Sequence, residues 1–70
     1  GVSERVTVQM AVREALAGLQ PDFREAVVLR EYADMTYQEI AEHQGVPVQT
    51  VKSRINRART ALKEALAEVA

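Results

Sequence analysis

The chain contains no cysteine, so neither a disulfide framework nor a cysteine-based zinc site can staple the fold. His43 is its single histidine, which excludes a histidine-built metal cluster; no metal and no cofactor is expected. No stretch approaches the roughly 18 apolar residues of a membrane span, and no basic-then-apolar signal peptide opens the chain, so no membrane contact is expected. β-branched residues stand singly, and no alternating run lasts long enough for a strand. An initiator methionine is missing too: the sequence opens Gly1-Val2-Ser3, as expected of a piece with more protein before it. Seventy residues make one domain, 1–70. A domain of this size buries roughly 60% of the surface its unfolded chain exposes, which leaves a marginal core. With 47% hydrophobic and 27% charged residues, the composition is that of a soluble globular unit and not of a disordered one.

The formal charge of −1 argues at first sight against a nucleic-acid partner, but its distribution argues the other way. Residues 1–46 carry four arginines against eight acids. Residues 47–70 carry five bases (Lys52, Arg54, Arg57, Arg59, Lys63) against Glu64 and Glu68, and no acid lies between Pro47 and Lys63. One end of the molecule therefore attracts phosphates, and the acidic remainder suits a basic protein surface.

The helical period recurs along the whole chain, and an all-α fold of four helices is predicted. Helix one is expected from Ser3 or Glu4 to Ala17. Its apolar stripe runs Val8, Val12, Ala15, Leu16, Leu19, with Ser3 as N-cap and Gly18 as the stop. Pro21 fits the first turn of helix two, where a missing N–H costs nothing, and Asp22 and Glu25 complement that terminus. Helix two, Pro21 to Ala33, is apolar on several sides (Phe23, Ala26, Val27, Val28, Leu29, Tyr32). It is therefore expected to lie centrally, between helix one and the later helices. After a short connection at Asp34-Met35, Thr36 and Glu39 form a capping box for helix three, Tyr37 to Gln44, which ends at Gly45. Helix four opens at Val46 or Pro47 and runs to Glu68. Val6 and Met10 fall off the stripe of helix one, either as fraying-end residues or as a contact for a missing part.

The informative stretch is Ile40-Ala41, Gly45-Val46, Val51 and Ile55. A helix-turn-helix joins two helices at roughly 90–120° across a three- or four-residue turn. It needs a small residue at the crossing (Ala41), a glycine able to take positive φ (Gly45), and apolar residues that lock one helix on the other (Ile40, Val46, Val51). Six positions in register make a specific signal. On helix four, at about 100° per residue, Val51, Ile55, Ala58, Leu62 and Val69 share a narrow sector. Opposite lie Gln49, Thr50, Ser53, Asn56, Arg57 and Thr60. Lys52, Arg59 and Lys63 line one flank and Arg54 the other. Short polar side chains admit a helix to base edges in the major groove, and flanking cations fix its register on phosphates.

The whole run from Leu19-Gln20-Pro21 through Val27-Val28-Leu29-Arg30-Glu31, Thr36-Tyr37-Gln38-Glu39-Ile40-Ala41-Glu42 and Gly45-Val46-Pro47 resembles the region-4 domain of extracytoplasmic-function (group IV) sigma factors. Its most specific part is Thr50-Val51-Lys52-Ser53-Arg54 followed by Arg57-Ala58-Arg59. The resemblance implies recognition of the −35 promoter element in double-stranded DNA, in the cytoplasm, by a factor bound to RNA polymerase core through the beta subunit flap; an anti-sigma factor is a further implied partner. Lys52, Ser53, Asn56 and Arg57 match DNA-facing positions of the family, while Tyr37 and Gln38 match positions near the phosphate backbone. Gln49, Thr50 and Arg59 complete the candidate DNA-binding set. Pro47 departs from the family, in which many members carry a serine N-cap; as proline at N1 it still fits. Asn56 sits at a variable position, so no preferred base transfers to it. The module that melts the −10 element is absent from these residues.

Other readings compete with this one. On composition alone the basic face of helix four reads as a solvated surface, and the turn signature with the family pattern turns that reading towards DNA; Tyr37 either packs on the turn or touches phosphate. His43 reads as an ordinary surface residue. An enzyme is disfavoured: Ser53 has no histidine within helical reach, Glu39 and Glu42 have no partner ligands, and there is no glycine-rich phosphate loop. The output domain of a response regulator also combines four helices with a Thr-Val-Lys recognition helix, although here the stretch after Arg57 continues that helix without a break. A pure protein-interaction module would have the basic face covered by protein.

Overall fold

Thr7 begins the first helix, because its hydroxyl accepts the Met10 N–H at 3.1 Å while its own backbone stays extended. The computed structural model describes residues 7–69, with helices α1 (Val8–Ala17), α2 (Pro21–Glu31), α3 (Tyr37–Gln44) and α4 (Val48–Val69). The all-α architecture is as the sequence predicts. The expected cap Ser3, like Val6, lies outside the described residues; α1 begins at Val8, and the Thr7 hydroxyl does the capping. Met10 is exposed, in keeping with its place off the stripe.

Two further boundaries move. Helix α2 stops at Glu31, not Ala33, because Asp34 takes a left-handed conformation (φ 57°) that a short polar side chain tolerates. The turn is closed by Met35 N–H donating to the Leu29 carbonyl at 3.1 Å, and by Arg30 Nη1 donating to the Met35 carbonyl at 2.9 Å. Helix α4 begins at Val48, with Pro47 outside it: the Pro47 carbonyl accepts the N–H groups of Thr50 and Val51. Pro47 thus occupies the N-cap rather than N1. Proline has no side-chain acceptor to offer there, yet its fixed φ still suits the entry to a helix.

The expectation that α2 lies at the centre is corrected. Helix α4 packs against all three others, and α1 leans chiefly on α4. Length decides this. At 22 residues α4 spans about 33 Å, enough to hold α2 and α3 along its beginning and still carry α1. Only Ala26 and Val27 of α2 are buried, and Tyr32 is largely exposed. The tightest cluster joins Ala26 of α2, Ile40 and Ala41 of α3, and Val51 and Ile55 of α4; Leu29, Met35, Tyr37, Val46 and Val48 pack around it. Ala11 and Ala58 are buried outside that cluster.

Candidate nucleic-acid interface

The turn between α3 and α4 is fixed at both ends of α3. At its start, Thr36 Oγ1 accepts the Glu39 N–H at 3.1 Å while Glu39 Oε1 accepts the Thr36 N–H at 2.8 Å, the complete capping box read in the sequence. These bonds hold the Glu39 carboxyl below its usual range, the Thr36 backbone N–H contributing most. At its end, Gly45 takes φ 67° and ψ 36°, and both Gly45 N–H and Val46 N–H turn back to the Ala41 carbonyl. A β-carbon on Gly45 would meet nothing within 4 Å; the positive φ alone requires glycine. Across this turn Ile40, Val51 and Ile55 are fully buried, Ala41 is 4% exposed, and Val46 is half-buried. All five apolar residues of the motif read from spacing are in contact with the core cluster or in it.

With that face closed, the rest of α4 is presented outward. Gln49, Lys52, Ser53, Asn56 and Arg57 are exposed, and Thr50 is half-buried with its N–H tied to Pro47. Among the described residues neither Lys52 nor Arg57 pairs with a carboxylate. The surface is cationic, free of acids, and set with short polar side chains, the combination that admits a helix to a groove and holds it by phosphates. Gln38 is exposed at the start of α3 and donates to Glu42 at 3.4 Å.

The two arginines on the flanks behave otherwise. Arg54 folds back, with 17% of its side chain exposed, to donate to Gln44 Oε1 at 2.9 Å and to face Asp22 at 3.7 Å. Gln44 in turn donates to the Asp22 carbonyl and to Glu25, each at 3.0 Å, so α2, α3 and α4 share one polar seam. His43, exposed as expected, lies 3.8 Å from Glu25 at the edge of that seam. Arg59 donates from Nε (3.1 Å) and Nη2 (2.6 Å) to one oxygen of Glu31. The Glu31 carboxylate, and less strongly the Tyr37 hydroxyl, raise the Arg59 guanidinium above its usual value. Tyr37 packs on the core cluster beneath Arg30, whose guanidinium stands 5.4 Å from the ring centre.

The structure therefore brings together Gln49, Lys52, Ser53, Asn56 and Arg57 on one open face, with Thr50 at its edge. It places Tyr37 and Arg59 in a neighbouring cluster with Arg30 and Glu31. Spacing does not reveal Glu31, Gln44 or Asp22 as partners of α4, because they lie 28, 10 and 32 residues from the arginines they meet. For Asp22 and Glu31 the only trace in the sequence is that α2 carries acids at both its ends.

A short capped helix, a left-handed glycine and a longer helix with an open polar face define a helix-turn-helix domain. The chain belongs to the sigma-70 region 4 family, whose model, described as "Sigma-70, region 4", matches residues 9–62. It is 40% identical over 62 residues to the RNA polymerase sigma-H factor of Pseudomonas aeruginosa, covering 89% of this chain and 32% of that protein. It is 44% identical over 57 residues to the ECF RNA polymerase sigma factor SigE of Mycolicibacterium smegmatis (81% and 22%). To the ECF RNA polymerase sigma-E factor of Escherichia coli K12 it is 42% identical over 55 residues (79% and 29%). The chain thus spans a third or less of the length of these relatives. The match sets aside the response-regulator alternative.

Proposed function

We propose that this domain reads the −35 element of promoter DNA as region 4 of an extracytoplasmic-function sigma factor, directing RNA polymerase to its promoters in the cytoplasm. The observation that carries the reading is the outward face of α4, where Lys52 and Arg57 stand exposed among Gln49, Ser53 and Asn56 with no carboxylate paired to either among the described residues. Entry of this face into the major groove puts short polar side chains against base edges. The role is one of binding and positioning, without catalysis of its own. The polymerase partner is the flap of the beta subunit, and an anti-sigma factor would inhibit most directly by covering this same face.

Counterion release gives the test. Arg54 and Arg59 are committed to partners within the domain, which leaves Lys52, Arg57 and Lys63 as exposed cations of α4. Binding to a duplex carrying a −35 element should weaken with salt at a log–log slope of about −3, each neutralised phosphate contributing about −0.9. A slope near zero means that this face does not meet phosphates.

A further inference from the structure

The Glu31–Arg59 pair ties the flank of α4 to the end of α2. Arg59 lies on the flank of α4 next to the open face, one turn beyond Asn56 and on the same flank as Lys52 and Lys63, where a cation belongs opposite a phosphate. Instead it gives two N–H groups to one oxygen of Glu31. Both side chains remain about half exposed, 42% and 48%, so water and a competing anion reach the pair. A half-exposed ion pair is weak and opens readily, because solvent screens it and two long side chains must be held in place. While closed, it contributes no net charge towards DNA.

We propose that Glu31 is an internal competitor for phosphate that sets the affinity of the domain by withholding Arg59 from the DNA backbone. The inference rests on the reading of α4 as the DNA-facing helix. The guanidinium has two competing anionic partners, the Glu31 carboxylate that holds it and a phosphate oxygen on DNA. Exchange of one for the other requires only rotation of an exposed side chain. Tyr37, packed on the core beneath Arg30, lies beside the pair and acts weakly on the Arg59 guanidinium. While the pair holds, one phosphate contact is withheld from every DNA sequence alike, so Glu31 lowers affinity evenly and leaves base preference untouched.

The experiment compares unaltered protein, Glu31→Gln, Arg59→Ala and the double variant in salt titrations with one −35 duplex and with a scrambled duplex. Glutamine keeps the shape of Glu31 and removes its charge; thermal melts and the second variant Glu31→Ala control for folding. The expected result is several-fold tighter binding of Glu31→Gln to both duplexes, with the salt slope steeper by about 1. That gain should vanish when Arg59 is alanine. A gain that persists in the Arg59→Ala background is plain relief of charge repulsion and overturns the proposal. Weaker binding by a folded Glu31→Gln also overturns it, since Glu31 would then be orienting Arg59 towards DNA. Should the unaltered protein bind and Arg57→Ala weaken it while Glu31→Gln changes nothing, the competition fails and the DNA-facing role of α4 stands. If the unaltered protein shows no salt-dependent binding, both fall together.

Discussion

In the first three turns of α4, Val51, Ile55 and Ala58 are completely buried, whereas Ala61, Leu62, Ala65 and Leu66 farther along the same helix are only half covered. Of these, Val51 and Ile55 meet α2 and α3, two helices whose approach is fixed by a capping box, a left-handed glycine and a polar seam. The far group accompanies α1, in which Ala11 alone is buried and Val8 and Met10 are exposed. The two ends of one helix thus serve different purposes. Close packing is concentrated beneath the face proposed to meet DNA, and the far end is packed more loosely.

The largest test of that contrast is stability. Ile55→Ala should cost about 2–5 kcal/mol, as for a fully buried aliphatic residue. Leu62→Ala, from a half-buried site, should cost about 1–2 kcal/mol. Chemical denaturation of the two variants checks the order, and equal losses would erase the distinction between the ends.

A smaller effect should come from the cap. Thr36→Ala removes the acceptor for the Glu39 N–H and should cost about 0.5–2 kcal/mol, read from the same denaturation curves. Base preference on DNA should loosen with it if α3 braces the recognition face.

The smallest effect is one of pH. Glu39 is held below its usual value of 4.5 by its bonds to Thr36, so its unfolded form binds a proton first as pH falls. Its contribution to stability is therefore complete above 4.5 and is lost as pH drops through the lowered folded value. Melts across this range should show a loss that Glu39→Gln reduces. An identical acid profile for both proteins would mean that Glu39 contributes nothing to acid sensitivity.

Local signals were legible in the sequence. The capping box Thr36–Glu39, the left-handed Gly45 and the burial of Ile40, Ala41, Val51 and Ile55 all depend on residues a few positions apart, and each is found as predicted. The polar face of α4 comes from the same periodicity. What escaped prediction depends on tertiary geometry. Asp34 ends α2 two residues early because the return to Leu29 and Arg30 favours it. The centrality of α4 is a matter of length rather than of how apolar a helix is. Periodicity sorts the five bases of the C-terminal stretch into face and flanks, but the commitment of Arg54 and Arg59 to α2 and α3 has no periodic signature.

DNA reading by α4 is tested most directly by a binding matrix of Arg57→Ala and Lys52→Ala against single-base variants of one −35 duplex. Both side chains are exposed on α4, but Arg57 stands in the polar sector beside Ser53, where a forked guanidinium would reach a guanine edge of bound DNA. Lys52 stands on the flank, where a point charge suffices. Arg57→Ala should cost about 1–3 kcal/mol on the cognate duplex and flatten the preference at one base pair. Lys52→Ala should weaken all duplexes alike and reduce the salt slope by about 1. Loss of selectivity at one base in Lys52→Ala with uniform weakening in Arg57→Ala would invert reader and anchor. Unchanged affinity in both would contradict the placement of the recognition face on α4.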